Sequence, residues 1–440
     1  MKPEAKADST TRRLRAYPDD IAEPFPKNRW VWSLLVALAT AMVWVAYGCL
    51  PSWQRATGIY DTGKLFWDLD GLLASGEAAR KGLNPFLPNP LDFYHRPHVY
   101  TEWWLITGRV GLVRAHTLGI GSALMALTLT SALWFLKPVG GRQAGLMVLV
   151  LISPAMLMAL DRANNDLVVF ILMGAAFSFL GKRVGAIRAL GVLLLTLTVI
   201  LKYYPLAALI VLLDARSRRE FVGWILLGGL LVLIAWPALE PGLRAAFKYR
   251  PNPEWIYAFG APVIFRNLEV KAPLFLIALG LSLVAAIAFR SLRGTWGNSP
   301  ASTQSDLAEL GFVGGAAMLV GCFVLGSSYA YKFVFCLWLL PWLWRSPVAG
   351  AAARWRDATL VLLMTVLWLE GFLAVLLNTV FSGFSHGAAL MTLKVGLTVS
   401  QLLTWALMIC LVRGLMSYVY GRVVRQIAVH KKTLENVVSY

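Results

Sequence analysis

Read from the N-terminus, the chain is a succession of apolar runs separated by short polar segments. The first is "WVWSLLVALATAMVWVAYGCL" (30–50), and further runs fall near 116–136, 144–160, 167–181, 189–201, 203–213, 221–236, 274–289, 310–326, 333–344, 359–377 and 393–412. A bilayer core takes roughly 20 apolar residues in helical form, and several of these runs meet that length without a charge. The pattern therefore predicts an all-α polytopic membrane protein of about twelve transmembrane helices. The domain plan that follows is a polar N-terminal tail (1–29), a transmembrane domain (30–412) and a C-terminal tail (413–440). Two long connections interrupt the membrane domain, at 51–115 and 237–273.

Composition fits this class: 58% of the 440 residues are hydrophobic, 15% are charged, and mean hydropathy is +0.64. The tail before residue 30 is too long for an ordinary signal n-region, and the first apolar run lacks a small-x-small cleavage site, so it reads as a retained span. The four cysteines, Cys49, Cys322, Cys336 and Cys410, lie in or beside apolar runs without metal spacing and read as small hydrophobes. The net charge of +18 is mostly positive-inside bias, and basic stretches such as "RRLR" suit an anionic lipid surface rather than nucleic acid. No Walker loop, dinucleotide fingerprint or soluble catalytic domain appears.

Orientation hinges on "IRALGVLLLTLTVILKYYPLAALIVLLDARSRRE", which is either one crossing with Lys202 at its middle or two short limbs meeting at Lys202-Tyr-Tyr-Pro205. The loops at 214–220, 290–309, 345–358 and 413–440 carry 13 Lys and Arg, against 7 in the intervening set. Basic loops favour the cytoplasm, so two limbs are expected, with both termini cytoplasmic. Lys202 then lies near the outer interface, where a lysine costs far less than at the bilayer centre. "DRANND" (161–166), "KYYP" (202–205), "SSYAYK" (327–332) and both long connections fall on that same outer side.

The polar residues gathered there admit two readings. Asp161, Asn164, Asn165 and Asp166 suit the cap of a following helix. Five polar residues in six also exceed what a turn needs, and acids at membrane level commonly face a working cavity. In the 51–115 connection, "LDGLLASGEAARKG" predicts a short amphipathic helix stopped by Gly82, and "TEWWLITGRVGLVRAH" a second helix along the interface. Bases there (Arg80, Lys81, Arg96, Arg109, Arg114) run against the positive-inside rule, as an anionic head group would require. His95 and His98 are three apart around a proline, which is weak metal spacing. Glu370 is an acid inside an apolar run, either a proton relay or a partner for another helix.

"WDLDGLLASGEAARKGLNPF", "DRANNDLVVFILMGAAF", "LKYYPLAALIVLL" and "YAYKFVFCLWLLPWL" occur in the order found in GT-C membrane glycosyltransferases. Together they resemble family 87, the polyprenyl-phosphate-mannose-dependent mannosyltransferase type. The resemblance spans residues 67–343 and departs from the family in offering two acids in the first motif. It implies a GT-C-like fold and inverting transfer of a sugar from a polyprenyl-phosphate donor to a lipid-linked or cell-envelope glycan acceptor. No cofactor is called for, although a divalent metal is left open. Asp68 is the expected general base, with Asp70 as the alternative. Arg162, Asn164, Asn165, Asp166, Lys202, Tyr203 and Lys332 are the expected donor-binding residues, with Arg266 and His386 in addition. The competing readings are a lipid-linked sugar flippase or other transporter, and a scaffold.

Overall fold

The computed structural model describes residues 29–50, 52, 59, 65–249, 256–268, 270, 273–292, 306–344, 351–379 and 386–438. The expected N-terminal tail up to residue 28 and most of the 293–306 linker lie outside them. Helices dominate: α1 (Arg29–Cys49), α2 (Trp67–Arg80), α3 (Thr117–Leu136), α4 (Gly141–Leu151), α5 (Pro154–Asp161), α6 (Asp166–Leu180), α7 (Gly185–Leu201), α8 (Arg218–Tyr249), α9 (Pro273–Leu292), α10 (Leu307–Leu325), α11 (Ala351–Thr379) and α12 (His386–Val438). Two 3₁₀ segments, Tyr204–Asp214 and Ala330–Leu339, join them. A two-stranded antiparallel ribbon pairs β1 (Ala258–Phe259) with β2 (Ser328–Tyr329), Ala258 opposite Tyr329 and Phe259 opposite Ser328.

All twelve apolar runs are helical, but they are not alike. Among the described residues six helices are long and apolar enough to cross a membrane, and α4 with α5 makes a seventh if that bent pair is one span. The bend of 55° falls at Ser153-Pro154, where the proline cannot continue the α4 hydrogen-bond ladder and Ser153 Oγ instead caps Met156 N. Four other runs, 166–180, 185–201, 204–214 and 330–343, form helices of only 10–17 residues, and the fifth, 276–290, lies within the 20-residue α9. Hydropathy does not separate a short helix buried in a bundle from a full crossing, because both must be apolar.

The 185–214 stretch does break into two limbs. Lys202 is extended, and Pro205 opens the second limb within its first turn. Arg188, near the start of α7, donates to the Asp214 carbonyl at 3.0 Å, so the limbs double back on each other. Arg188 also donates to Leu180 O at 2.6 Å, closing α6 against α7 in the same sense. Small residues let α10 fold back on the Ala330–Leu339 segment: a Cβ on Gly315 would lie 2.8 Å from Phe335 O. The turns at 162–165, 202–203 and 326–329 consequently meet at one end of the bundle.

Within the 51–115 connection, α2 forms as expected and is packed into the protein along most of its length. Leu69, Asp70, Leu72, Leu73, Ala74, Ser75, Gly76 and Ala78 are all buried. Gly76 touches the short helix Ile106–Arg109 so closely that a Cβ on Gly108 would fall 1.9 Å from Gly76 O. Gly82 (φ +76°) ends α2 in a Schellman turn, with Leu83 N bonded to Ala78 O and Gly82 N to Ala79 O. The expected helix over "TEWWLITGRVGLVRAH" is instead three short turns, broken at Gly111 (φ +79°). The second long connection also differs, because α8 continues through Pro237 and Pro241 to Tyr249. Its Leu239 carbonyl is taken by the Tyr203 hydroxyl at 3.2 Å, one of the side-chain contacts that support a proline-containing helix.

Candidate functional site

The α5–α6 turn organises the site. Ala163 takes a left-handed conformation (φ +42°), and Asn164 Oδ1 accepts the Asp166 amide at 3.0 Å, capping α6. The first turn of α2 docks on the same turn, Phe66 N bonding to Asp161 O at 2.5 Å and Leu69 N to Arg162 O at 3.2 Å. These backbone bonds use donors left over at a helix start, and they bring Asp68 beside Asn164, 96 residues away in the chain.

Asp68 is held by three groups. Asn164 Nδ2 donates to Oδ2 at 2.7 Å, Arg96 Nη1 reaches Oδ1 at 3.3 Å, and Arg162 Nη1 lies 3.6 Å from Oδ2. Both guanidiniums are positioned by rings. Arg162 lies over Trp67 at 4.3 Å and over Tyr329 at 4.1 Å, and Arg96 over Trp67 at 4.7 Å. Arg96 also forks onto Asp92 (2.8 and 3.0 Å) and onto Trp67 O. Burial alone would raise the Asp92 pKa, but hydrogen bonds and charge from Arg96 outweigh it and hold the carboxyl below its ordinary value.

These groups open on a cavity of about 310 Å³, lined by Asp68, Arg96, Arg162, Tyr100, Tyr329 and Tyr331 among others. Its size falls at the lower end of small-molecule sites, and its chemistry, one acid between two cations with aromatic walls, suits an anionic polar ligand. His98, also in the wall, is fully enclosed beside Phe86 and Tyr100, and its Nε2 lies 3.1 Å from Thr101 O. Burial pushes its pKa down to about 4, so it is neutral at pH 7.

Behind the cavity a second charged cluster centres on Asp166. Lys202 and Lys332 both pair with it, Lys332 at 2.9 Å, and the Tyr204 hydroxyl donates to it as well. Lys202 further donates to Asn164 Oδ1 at 2.9 Å and to Asn165 Oδ1. Asn164 thus links the two clusters, its oxygen facing Lys202 and its amide group facing Asp68.

Asp68, Arg162, Asn164, Asn165, Asp166, Lys202 and Lys332 therefore converge, although Lys202 and Lys332 turn to Asp166 and do not line the cavity. Tyr203 points instead at α8, and Tyr204 takes its place in the cluster. Arg266, on the short helix Val263–Asn267, bonds Ser327 Oγ at 2.6 Å and is not in the cavity wall. His386 opens α12, and its side chain lies outside the described residues. Asp70 is buried away from the cavity, with Arg114 Nε 3.2 Å from each carboxylate oxygen and Thr117 Oγ1 at 3.2 Å.

Arg96, Tyr100, Tyr329 and Tyr331 complete the site but were not among the expected site residues. The signals for them were an arginine that breaks the positive-inside pattern and the motif "YAYK", which holds Tyr329 and Tyr331 beside Lys332. Among the described residues no group of three or more His, Cys, Asp or Glu is arranged to hold a metal ion. No family model, curated protein or solved structure matches the chain.

Proposed function

We propose that this chain is a GT-C-like membrane glycosyltransferase of about twelve crossings, moving a sugar from a polyprenyl-phosphate donor to a lipid-linked or cell-envelope glycan acceptor. The observation that carries this reading is Asp68 in the wall of a cavity, held between Arg96 and Arg162. The donor phosphate takes the two guanidiniums, for which it competes with Asp68, and so releases the carboxylate to act. The acceptor hydroxyl then gives its proton to Asp68 while its oxygen bonds to the anomeric carbon. The bond from that carbon to the phosphate oxygen breaks, the electron pair leaves with the phosphate, and the configuration inverts. The arginines stabilise the charge gathering on the departing phosphate. Asn164 orients the base, and the aromatic side chains form walls for the sugar.

In this reading the cavity end of the bundle is extracytoplasmic and both chain termini are cytoplasmic. Cysteine-accessibility labelling of the 214–220 loop from the cytoplasmic side alone is the expected result. The activity itself is tested by incubating purified protein in nanodiscs with candidate polyprenyl-phosphate sugars and measuring released polyprenyl phosphate. Release that depends on Asp68 is expected. A lipid-sugar flippase would move the intact donor between leaflets and release no lipid phosphate, and that result would replace the proposal.

A further inference from the structure

Next to the cavity lies a far smaller hollow of about 20 Å³ that shares Asp68, Leu72 and Tyr100 with it. Its other walls are mostly apolar, including Leu124 and Val168, and Asn165 supplies a further polar residue. The Trp104 ring that also borders it has its N–H committed to Leu201 O at 2.9 Å. Asn165 is only 6% exposed, and its Nδ2 has no hydrogen-bond partner. Its orientation is not arbitrary. Lys202 donates to Asn165 Oδ1, and an ammonium has donors only, so reversing the amide would set NH₂ against NH₃⁺. The amide group is thus turned away from Lys202, and a buried donor left in this state is costly.

The hollow accordingly has an unmet donor in its wall, Asn165 Nδ2, and a strong acceptor, the Asp68 carboxylate, with Tyr100 as its third polar residue. Its volume exceeds the roughly 10–15 Å³ that one water-sized group requires. A phosphate or carboxylate oxygen is excluded beside Asp68 by like charge, and an ammonium has no lone pair for Asn165. A hydroxyl satisfies both sides.

We infer that this hollow is a single-oxygen subsite, occupied by water in the resting protein and by the attacking acceptor hydroxyl during transfer, with Asn165 donating to the oxygen and Asp68 receiving its proton. The inference rests on the glycosyltransferase reading for the identity of the hydroxyl. It moves Asn165 from the donor sugar to the nucleophile. It also separates two functions around Asp68, since Arg96 and Arg162 face the larger cavity and Asn165 the hollow.

Two measurements test it. A cryo-EM map of the wild-type protein in nanodiscs, at a resolution that shows ordered water, is expected to contain one peak within hydrogen-bond reach of both Asn165 Nδ2 and an Asp68 oxygen. An empty hollow, or Asn165 Nδ2 bonded to a protein group, overturns the subsite whatever the protein's activity. The second measurement uses polyprenyl-phosphate mannose as the probe. Asn165→Leu, which fills the hollow with an apolar group of similar size, is expected to lower kcat by about tenfold or more, with donor KM changed by less than about twofold. Asn165→Ser, which restores a small donor and leaves room for water, is expected to recover part of the loss. A raised donor KM with unchanged kcat returns Asn165 to the donor and removes the inference. Wild-type protein that releases lipid phosphate from none of the candidate donors refutes the glycosyltransferase reading instead, and the map then decides the subsite by itself.

Discussion

Two buried ionic clusters occupy the two ends of α7, some 20 Å apart by helical rise. At one end Arg188, fully buried, donates to Leu180 O, Asp214 O and Glu220 Oε1 and lies 4.9 Å over the Trp224 ring. Arg422 completes that cluster, 2.6 Å from Asp214 and 3.7 Å from Glu309. The group ties α6, α7, α8, α10 and α12 to the Tyr204–Asp214 segment, and its charges are turned on one another and on the backbone. None of the cavities described above is lined by its members. At the other end Asp166, Arg162, Lys202 and Lys332 are also buried and the Arg96 side chain is 31% exposed, but Asp68 reaches two hollows and Asn165 keeps an unused donor. Burial and pairing of charge are common to both ends. What sets the cavity end apart is that its charged and polar groups line hollows a ligand can enter.

The sharpest way to break this contrast is to remove a charge at the closed end. Arg188→Leu removes the cation beside Glu220 and the donor to Leu180 O and Asp214 O while Arg422 stays on Asp214, and the loss of one partner from a buried pair costs about 3–5 kcal/mol. A lowered unfolding temperature in detergent is expected, with activity per folded molecule retained. Lost activity in a folded variant would erase the distinction between the two ends.

Asp68→Asn reverses that emphasis. It keeps the size of the side chain and one of its two acceptor oxygens, and removes the base, so lipid-phosphate release per folded molecule is expected to fall by about 10² or more, along with some loss of stability from the unpaired Arg162. Asp70→Asn, facing Arg114 and Thr117, is expected to weaken the fold rather than the chemistry. Normal transfer by Asp68→Asn would reject the site as proposed.

A smaller effect tests the ring-stacked cation. Arg162→Lys keeps the charge but loses the planar group between Trp67 and Tyr329, and a donor KM raised about tenfold is expected, with kcat less affected. Unchanged KM would place the phosphate elsewhere.

The mildest test is pH. His98 titrates near 4 in the fold and near 6.5 when exposed, so the unfolded segment binds the proton first and stability falls as pH drops between those values. Asp92, held low by Arg96, loses its contribution only in stronger acid, as pH falls through the ordinary carboxylate range. Amide exchange across 84–101 is expected to rise about tenfold from pH 7 to pH 5.5 after correction for intrinsic rate, and not in His98→Gln. No change would show that this wall opens without exposing His98.

Much of this was legible without coordinates. Every apolar run became helical because long apolar stretches leave the backbone no other way to satisfy its hydrogen bonds in a nonpolar medium. Gly82 stopped α2, since its left-handed conformation is open to glycine at little cost. The break at Lys202 was legible from charge and proline. Asp68, Arg162, Asn164 and Asp166 stood out because polar residues between apolar runs need a reason to be there.

What the sequence could not decide is where each group points and how deep each helix lies. Tyr203 and Tyr204 are adjacent and chemically identical, yet only Tyr204 reaches Asp166, because the backbone direction after Lys202 sets which ring turns inward. Asp68 and Asp70 sit two residues apart on α2, so helical geometry sends them to different faces, and only the docking of α2 on the α5–α6 turn determines which face meets the cavity. Likewise, composition treats short buried helices and full crossings alike, because both exclude water. Local chemistry along the chain therefore determined which segments are helical and which residues are costly to bury. Contacts between residues far apart in the chain, such as Asp166 with Lys332 at a separation of 166 positions, decided which of those costly residues were neutralised and which were left facing a cavity.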